Sequence, residues 1–263
     1  MEVNTIIQGD CLEVMKDIPD KSIDMILADL PYGTTACKWD TIIPFEPLWE
    51  QYKRIIKDNG AIVLTASQPF TSALVMSNPD MFRYDFSWDK KLSSGFLNSK
   101  IMPLRRHEDI LVFGKGKLKY NPQMVIRGEI RRKGISTTTG KHTQNYGKYK
   151  SVCKYNNEYF PTSILEINNC DRKGKQHPTE KPVELFAYLI KTYTNEGDLV
   201  LDNVAGSFTT AIACEMLNRR WICIEKEKEY CEVGQKRLDA YRAQKKLFTP
   251  EQLTSVPKQN KLE

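Results

Sequence analysis

The stretch DLVLDNVAGSFTTAIACEMLNRRWICIE, residues 198–225, decides the fold. Asp198 to Asp202 reads as a strand, Ala205 to Ser207 as a turn of small residues, Phe208 to Leu217 as a helix and Trp221 to Glu225 as a second strand. A strand entering a small-residue turn at a helix start brings backbone N–H groups toward a ligand, and a carboxylate ending the next strand can grip ribose hydroxyls. The spacing is neither G-x-G-x-x-G nor G-x-x-x-x-G-K-[ST], so the usual dinucleotide and P-loop readings fail. A half-site for a nucleoside cofactor is what remains.

Working outward, a helix over about Val183 to Tyr193 precedes this unit and another over about Glu227 to Gln244 follows it. Toward the N-terminus, strands are expected at Thr5 to Gln8, Ile23 to Ala28, Ala61 to Thr65, Tyr84 to Trp88 and Asp109 to Phe113. Helices over Phe45 to Lys57 and Pro69 to Met76 fit between them, the first stopped by Asn59 and Gly60. Strands alternating with helices at these lengths predict an α/β fold with a doubly wound, mostly parallel sheet covered on both faces.

With 263 residues, 40% hydrophobic and 27% charged, the chain is long enough to bury one large core and excludes a peptide hormone or multidomain scaffold. Its longest apolar runs are far short of a membrane span, and the acidic start at Met1 and Glu2 lacks the charge of a signal peptide, so a cytoplasmic location is expected. Seven cysteines without a C-x-x-C pair suggest buried thiols rather than disulfides or a zinc ribbon. His107, His142 and His177 are too dispersed for a metal cluster, and no metal is expected.

The net charge of +6 is uneven: Lys115 to Lys154 holds eight Lys, three Arg and one acid, Glu129, which is +10, leaving −4 for the remainder. Such a segment, with Tyr120, Tyr146 and Tyr149 interleaved, suits a polyanion, cations neutralising phosphates and aromatic faces stacking on bases. A solvated charged loop is the bland alternative. The expected organisation is therefore a first α/β segment over 1–114, a basic insert over 115–176, a second α/β segment over 177–246 and a poorly ordered tail over 247–263.

Asp29-Leu30-Pro31-Tyr32-Gly33 follows the apolar strand ending at Ala28, where open α/β sheets place their ligands. A carboxylate and nearby carbonyls can accept both hydrogens of an amino group, Pro31 stiffens the turn and Tyr32 offers a flat face. An aspartate that merely caps a turn is the plain reading of the same residues.

Taken together these segments resemble the S-adenosylmethionine-dependent DNA amino-methyltransferases of the permuted β type, over roughly residues 5 to 240. Gly9 to Met15 resembles GDxLxxL, Asp29 to Tyr32 resembles DPPY, His177 to Pro182 resembles HPTEKP, and Asp202 to Thr210 resembles DPFxGSGTT. Ser87 to Lys90, Gly95 to Asn98 and Arg106 to Phe113 resemble segments recurrent in phage and bacterial members. The resemblance implies a Rossmann-like fold, S-adenosylmethionine as cofactor, double-stranded DNA as partner, a monomer or homodimer, and a setting in DNA modification and restriction.

It also implies site residues. Asp29, Pro31 and Tyr32 are expected to be catalytic, the first two accepting the amino hydrogens and Tyr32 stacking on a flipped base. Asp202, Ala205, Gly206 and Ser207 would surround the methionine part of the cofactor, Glu225 the ribose, Asp10 the adenine end, and Thr179 and Lys181 the methionine carboxylate. Each has a structural alternative, such as Glu225 pairing with Arg219 or Arg220. Arg127, Arg131, Arg132, Lys133 and Tyr146 are expected DNA contacts.

The departures are Leu30 in the first motif and Asn203, Val204 and Phe208 in the last. Where the family has glycine, Phe208 brings a bulky ring that either points into the sheet or weakens cofactor binding. Adenine N6 is favoured as the target because Asp29 begins the motif. Cytosine N4, an RNA or protein amino group, and a DNA-binding relic closed by Phe208 are the competing readings.

Overall fold

β-strand alternation feeding two apolar faces sets the centre of the molecule. The computed structural model describes residues 2–34, 40–133, 154–169 and 181–247. Its main sheet has eight strands in the order β1 (Thr5–Gln8), β10 (Arg220–Glu225), β9 (Leu199–Asp202), β2 (Ile23–Ala28), β3 (Ile56–Ala66), β5 (Arg105–Phe113), β4 (Phe82–Ser94) and β8 (Ile164–Glu166). All pairings are parallel except those made by β5. This is the mostly parallel, doubly wound sheet that the sequence predicts.

Every residue of β2 is buried, because the strand feeds both faces in turn. Met25 and Leu27 join a core with α4 (Val183–Tyr193), α5 (Thr209–Met216) and α6 (Lys228–Leu247). Ile26 and Ala28 join the opposite core with α2 (Phe45–Ile55) and α3 (Phe70–Ser77). Each fully buried aliphatic side chain contributes roughly 1.5–3 kcal/mol, so the central strands anchor the sheet. From β2 the chain leaves through α2 to β3, and from the neighbouring β9 it leaves through α5 in the other direction to β10. Diverging crossovers open a crevice at the carboxyl ends of β2 and β9.

The turn chemistry at Gly60 differs from expectation. α2 stops at Ile55, β3 begins at once, and Asn59 and Gly60 lie inside that strand rather than between the elements. Glycine is needed there for close approach, since a Cβ would sit 2.8 Å from the Asp24 carbonyl oxygen.

A second compact unit covers Pro122–Thr162. Its described part is an antiparallel pair, β6 (Val125–Lys133) and β7 (Lys154–Tyr159), with Arg131 opposite Asn156 and Arg132 opposite Tyr155. The unit is narrower than the 115–176 insert set apart from sequence. Lys119 donates its backbone N–H to Asn59 O at 2.9 Å and its ammonium pairs with Asp198, while Asn121 N–H reaches Thr192 O at 2.7 Å. These bonds tie 115–121 to the first unit, and β8 adds a strand to the main sheet beside β4. The tail beyond Leu247 lies outside the described residues. Among the described residues no helix is long and apolar enough to cross a membrane, and no group of three or more His, Cys, Asp or Glu is placed to hold a metal.

Candidate active site

Asp29 stands one residue past the end of β2, at the crevice. Three donors converge on its Oδ1: the Tyr32 hydroxyl at 2.8 Å, the Thr65 hydroxyl, and the Lys181 ammonium at 3.0 Å. Among the described residues, no hydrogen bond reaches Oδ2. A carboxylate so held is fixed in orientation by one oxygen and keeps the other for a ligand.

Lys181, at the start of α4, is buried and also pairs with Glu108 Oε2 at 3.0 Å; Glu108 Oε1 in turn accepts from Lys90 at 3.0 Å. Burial alone would push Glu108 up, but Lys181 and Lys90 bring it down to about 2. Burial alone would lower Lys181, yet Asp29, Tyr32 and Glu108 hold it well above the usual lysine value. Glu108 and Lys181 are therefore both charged at neutral pH. Lys181 is committed to two protein carboxylates, whereas sequence placed it on a ligand carboxylate. Lys90 and Glu108 were not singled out for this role, since only folding brings β4, β5 and α4 together.

Tyr32 is engaged by both its ring and its hydroxyl. One face of its ring is stacked on Phe70 at 5.2 Å and 27°, and its hydroxyl bridges Asp29 and Thr65. The Lys181 ammonium also lies over this ring, 5.6 Å from its centre.

A cleft of about 330 Å³ opens beside Asp29, within the roughly 300–1,000 Å³ typical of small-molecule sites. Asp10, Pro31, Lys181, Asp202, Ala205, Gly206, Ser207 and Glu225 all line it together with Asp29. Thr179 lies outside the described residues. Glu225 ends β10 and accepts Gly206 N–H on Oε2 at 2.8 Å and Glu227 N–H on Oε1 at 2.9 Å. It does not pair with Arg219 or Arg220, which bond to Thr194, Leu217 and Gly197 instead. Burial raises Glu225, and the three N–H groups of Glu227, Gly206 and Lys226 restrain that rise. Asp10 caps α1 (Cys11–Val14) by accepting Leu12 N–H at 3.0 Å and remains largely exposed.

Asp202 is buried at the end of β9, bonded to the Thr210 hydroxyl and to Val204 N–H at 3.1 Å. Burial lifts it to about 7 against those hydrogen bonds. Beside it, Asn203 lines the cleft, accepts from the Tyr52 hydroxyl at 2.6 Å and leaves Nδ2 buried without a hydrogen-bond partner. Sequence registered Asn203 only as a departure from a motif; its polar partner sits on α2, far away along the chain.

Phe208 does not line the cleft. Its ring is fully buried in the core and lies over Gly234 of α6, where a Cβ would come within 1.9 Å of the ring. Its backbone is left-handed, φ 61°, a conformation that suits glycine and costs another residue roughly 1–2 kcal/mol. A missing side chain in α6 thus houses the extra one at Phe208, and the small-residue turn stays open to the cleft.

In the second unit, Arg127 and Arg131 are exposed on β6, with the Arg127 guanidinium 5.9 Å from the centre of the Tyr159 ring. Arg132 and Lys133 lie on the same strand; Tyr146 lies outside the described residues.

Residues 23–236 match a family model described as DNA methylase. The chain is 30% identical to the DNA adenine methyltransferase YhdJ of Escherichia coli (strain K12), an alignment covering 98% of this chain and 88% of that one. It is 28% identical to the type II methyltransferase M.HpaI of Haemophilus parainfluenzae, covering 89% and 74%. Among solved structures, the M1.HpyAVI–SAM complex aligns with a TM-score of 0.59 at 23% identity, covering 89% of this chain and 98% of that one. The cytosine-N4-specific PvuII DNA methyltransferase aligns with a TM-score of 0.62 at 18% identity, covering 90% and 91%.

Proposed function

This chain belongs to the DNA methylase family, and on that premise we propose that it moves a methyl group from S-adenosylmethionine to the exocyclic N6 of adenine in double-stranded DNA. One observation carries the reading: a carboxylate with one oxygen held by three protein donors and the other left open stands in the same cleft as the small-residue turn and Glu225. The cleft suits the donor. Asp202 offers a negative charge to a cationic ligand, Glu225 keeps lone pairs for ribose hydroxyls, and the turn at Ala205 to Ser207 admits close approach.

When bound, S-adenosylmethionine would supply an electrophilic methyl on its sulfonium, the carbon–sulfur bond breaking as nitrogen takes the methyl and the sulfur leaving as a neutral thioether. The chain's own residues prepare that nitrogen. An aromatic amine is a weak nucleophile because its lone pair is delocalised into the ring. Asp29 Oδ2 and the Pro31 carbonyl accept its two hydrogens, favour a pyramidal nitrogen and aim the lone pair at the cleft. As the new C–N bond forms, the nitrogen carries one proton too many, and Asp29 is the acceptor placed to take it. Lys181, 3.0 Å from Asp29 Oδ1, keeps that carboxylate oriented, so positioning and electrostatics supply the rate.

The target base is flipped out of the duplex at a cost of a few kcal/mol. Arg127, Arg131, Arg132, Lys133 and Tyr146 are our candidates for the DNA contacts that offset it. A cytoplasmic enzyme acting as a monomer or homodimer goes with this reading.

Asp29 and the 30% identity to an adenine methyltransferase favour adenine over cytosine N4. Purified protein, duplex DNA and labelled S-adenosylmethionine, followed by nucleoside mass spectrometry, test it. N6-methyldeoxyadenosine is the expected product; N4-methyldeoxycytidine alone, or no methylated base, overturns the proposal.

A further inference from the structure

Between β4 and β5 the chain exposes more large apolar surface than a connecting loop ordinarily carries. Leu97 is fully exposed, Ile101 78%, Phe96 60% and Met102 46%. An exposed apolar cluster of this kind marks a contact surface. The loop is nonetheless built: Gly95 turns at φ 88°, a 3-10 turn spans Phe96–Asn98, and the N–H groups of both Ile101 and Met102 donate to Asn98 O at 3.0 Å. Its backbone bonds are satisfied within consecutive turns, so the side chains point outward for want of a core and not for want of structure.

Its position is fixed by topology. β4 runs parallel to β8 and antiparallel to β5, which is itself antiparallel to β3. The carboxyl end of β4 therefore lies on the same edge of the sheet as the ends of β2, β9 and β10. The stems are locked to the catalytic group: Arg106 grips Asp89 with bonds of 2.8 and 3.0 Å, and Lys90, Glu108, Lys181 and Asp29 form a chain of ion pairs, each 3.0 Å. Residues 92–106 contain Lys100, Arg105 and Arg106 and no acid. With Arg106 held by Asp89, Lys100 and Arg105 flank an apolar tip that has no carboxylate of its own, which matches a duplex, whose phosphates attract the cations and whose stacked interior accepts apolar side chains.

We propose that this loop is a wedge, Phe96 and Leu97 entering the base stack beside the target and filling the space that the flipped base leaves. The inference rests on the DNA methylation reading above and deepens it. The ionic chain of three links ties the strands that carry the wedge to the carboxylate that receives the base.

The test compares wild type with the double variant Phe96→Ala/Leu97→Ala. The duplex carries the sequence found by mapping wild-type methylation, with 2-aminopurine at the target adenine for fluorescence and adenine there for transfer. A second duplex has an abasic site opposite the target, which removes the pairing that the wedge would have to overcome. Both side chains are exposed, so the variant should melt with wild type and bind S-adenosylmethionine equally well. It should lose at least tenfold in methyl transfer and most of the fluorescence rise on the paired duplex, and recover both on the abasic one. An unaffected variant overturns the wedge alone. Equal loss on both duplexes also overturns it, as does a fall from dimer to monomer by light scattering, which would assign the patch to a second copy. A wild type inert on all DNA overturns the methylation reading, and the wedge with it.

Discussion

Replacing Gly234 by alanine probes the one residue that threatened the cofactor site. In an ordinary helix interior the change stabilises by about 0.8–1.0 kcal/mol, because alanine restricts the unfolded chain. In α6 the new methyl would lie 1.9 Å from Cδ2, 2.4 Å from Cε2 and 2.5 Å from Cγ of Phe208. That ring is fully buried and its backbone is pinned at a left-handed position, so it has little room to yield. Overpacking of this kind costs roughly 1–3 kcal/mol, enough to cancel or reverse the helical gain. Phe208→Gly alone loses a large buried side chain, roughly 3–5 kcal/mol, partly offset by relief of the left-handed backbone, about 1–2 kcal/mol. Once the ring is gone, Gly234→Ala should regain its helical benefit. Urea unfolding of the four proteins therefore closes a cycle whose coupling equals the overpacking cost, about 1–3 kcal/mol. A Gly234→Ala protein that is stabilised to the same extent with and without Phe208 would place the ring elsewhere and refute the reasoning.

Asp202, raised to about 7, should make cofactor affinity depend on pH, because a cationic ligand prefers the ionised carboxylate. Its ionised fraction is about 0.09 at pH 6 and about 0.91 at pH 8, so the affinity advantage of wild type over Asp202→Asn should grow about tenfold across that interval by calorimetry; a constant ratio would remove Asp202 from the site. Without ligand the sign reverses: a carboxyl whose folded pKa lies above its unfolded value binds an extra proton between about pH 4 and 7, so its contribution to stability declines as pH rises through that window. Asp202→Asn should flatten that part of the pH–stability curve, and an unchanged slope in denaturant melts would contradict the raised value. Glu225→Gln places a donor against one of two N–H groups and should weaken S-adenosylmethionine binding at least tenfold; wild-type affinity would dismiss the ribose role.

How much of this was legible in the sequence depends on how local its cause is. β2 and α4 begin and end where their residues predict, since continuous apolar burial and a helical stripe are local patterns. The small-residue turn, Asp29 and Glu225 were legible because they sit at strand ends. The ionic chain from Lys90 to Asp29 was not, because it joins β4, β5, the start of α4 and the turn after β2, four places that only the fold brings together. Phe208 left two destinations open, and the choice rests on a glycine in the last helix that no pattern near residue 208 reveals. Lys119 read as part of a basic run, yet Asp198 and Asp24 draw it into the first unit.

Asp29→Asn most directly tests whether this cleft activates an amino group. Asparagine keeps an acceptor for Tyr32 and Thr65 but removes the charge and the proton acceptor from Oδ2. Calorimetry and methyl transfer should be measured on the same preparation. Near-wild-type binding of S-adenosylmethionine with transfer reduced at least a hundredfold is the expected pair of results, whereas transfer within tenfold of wild type would contradict the assignment of Asp29.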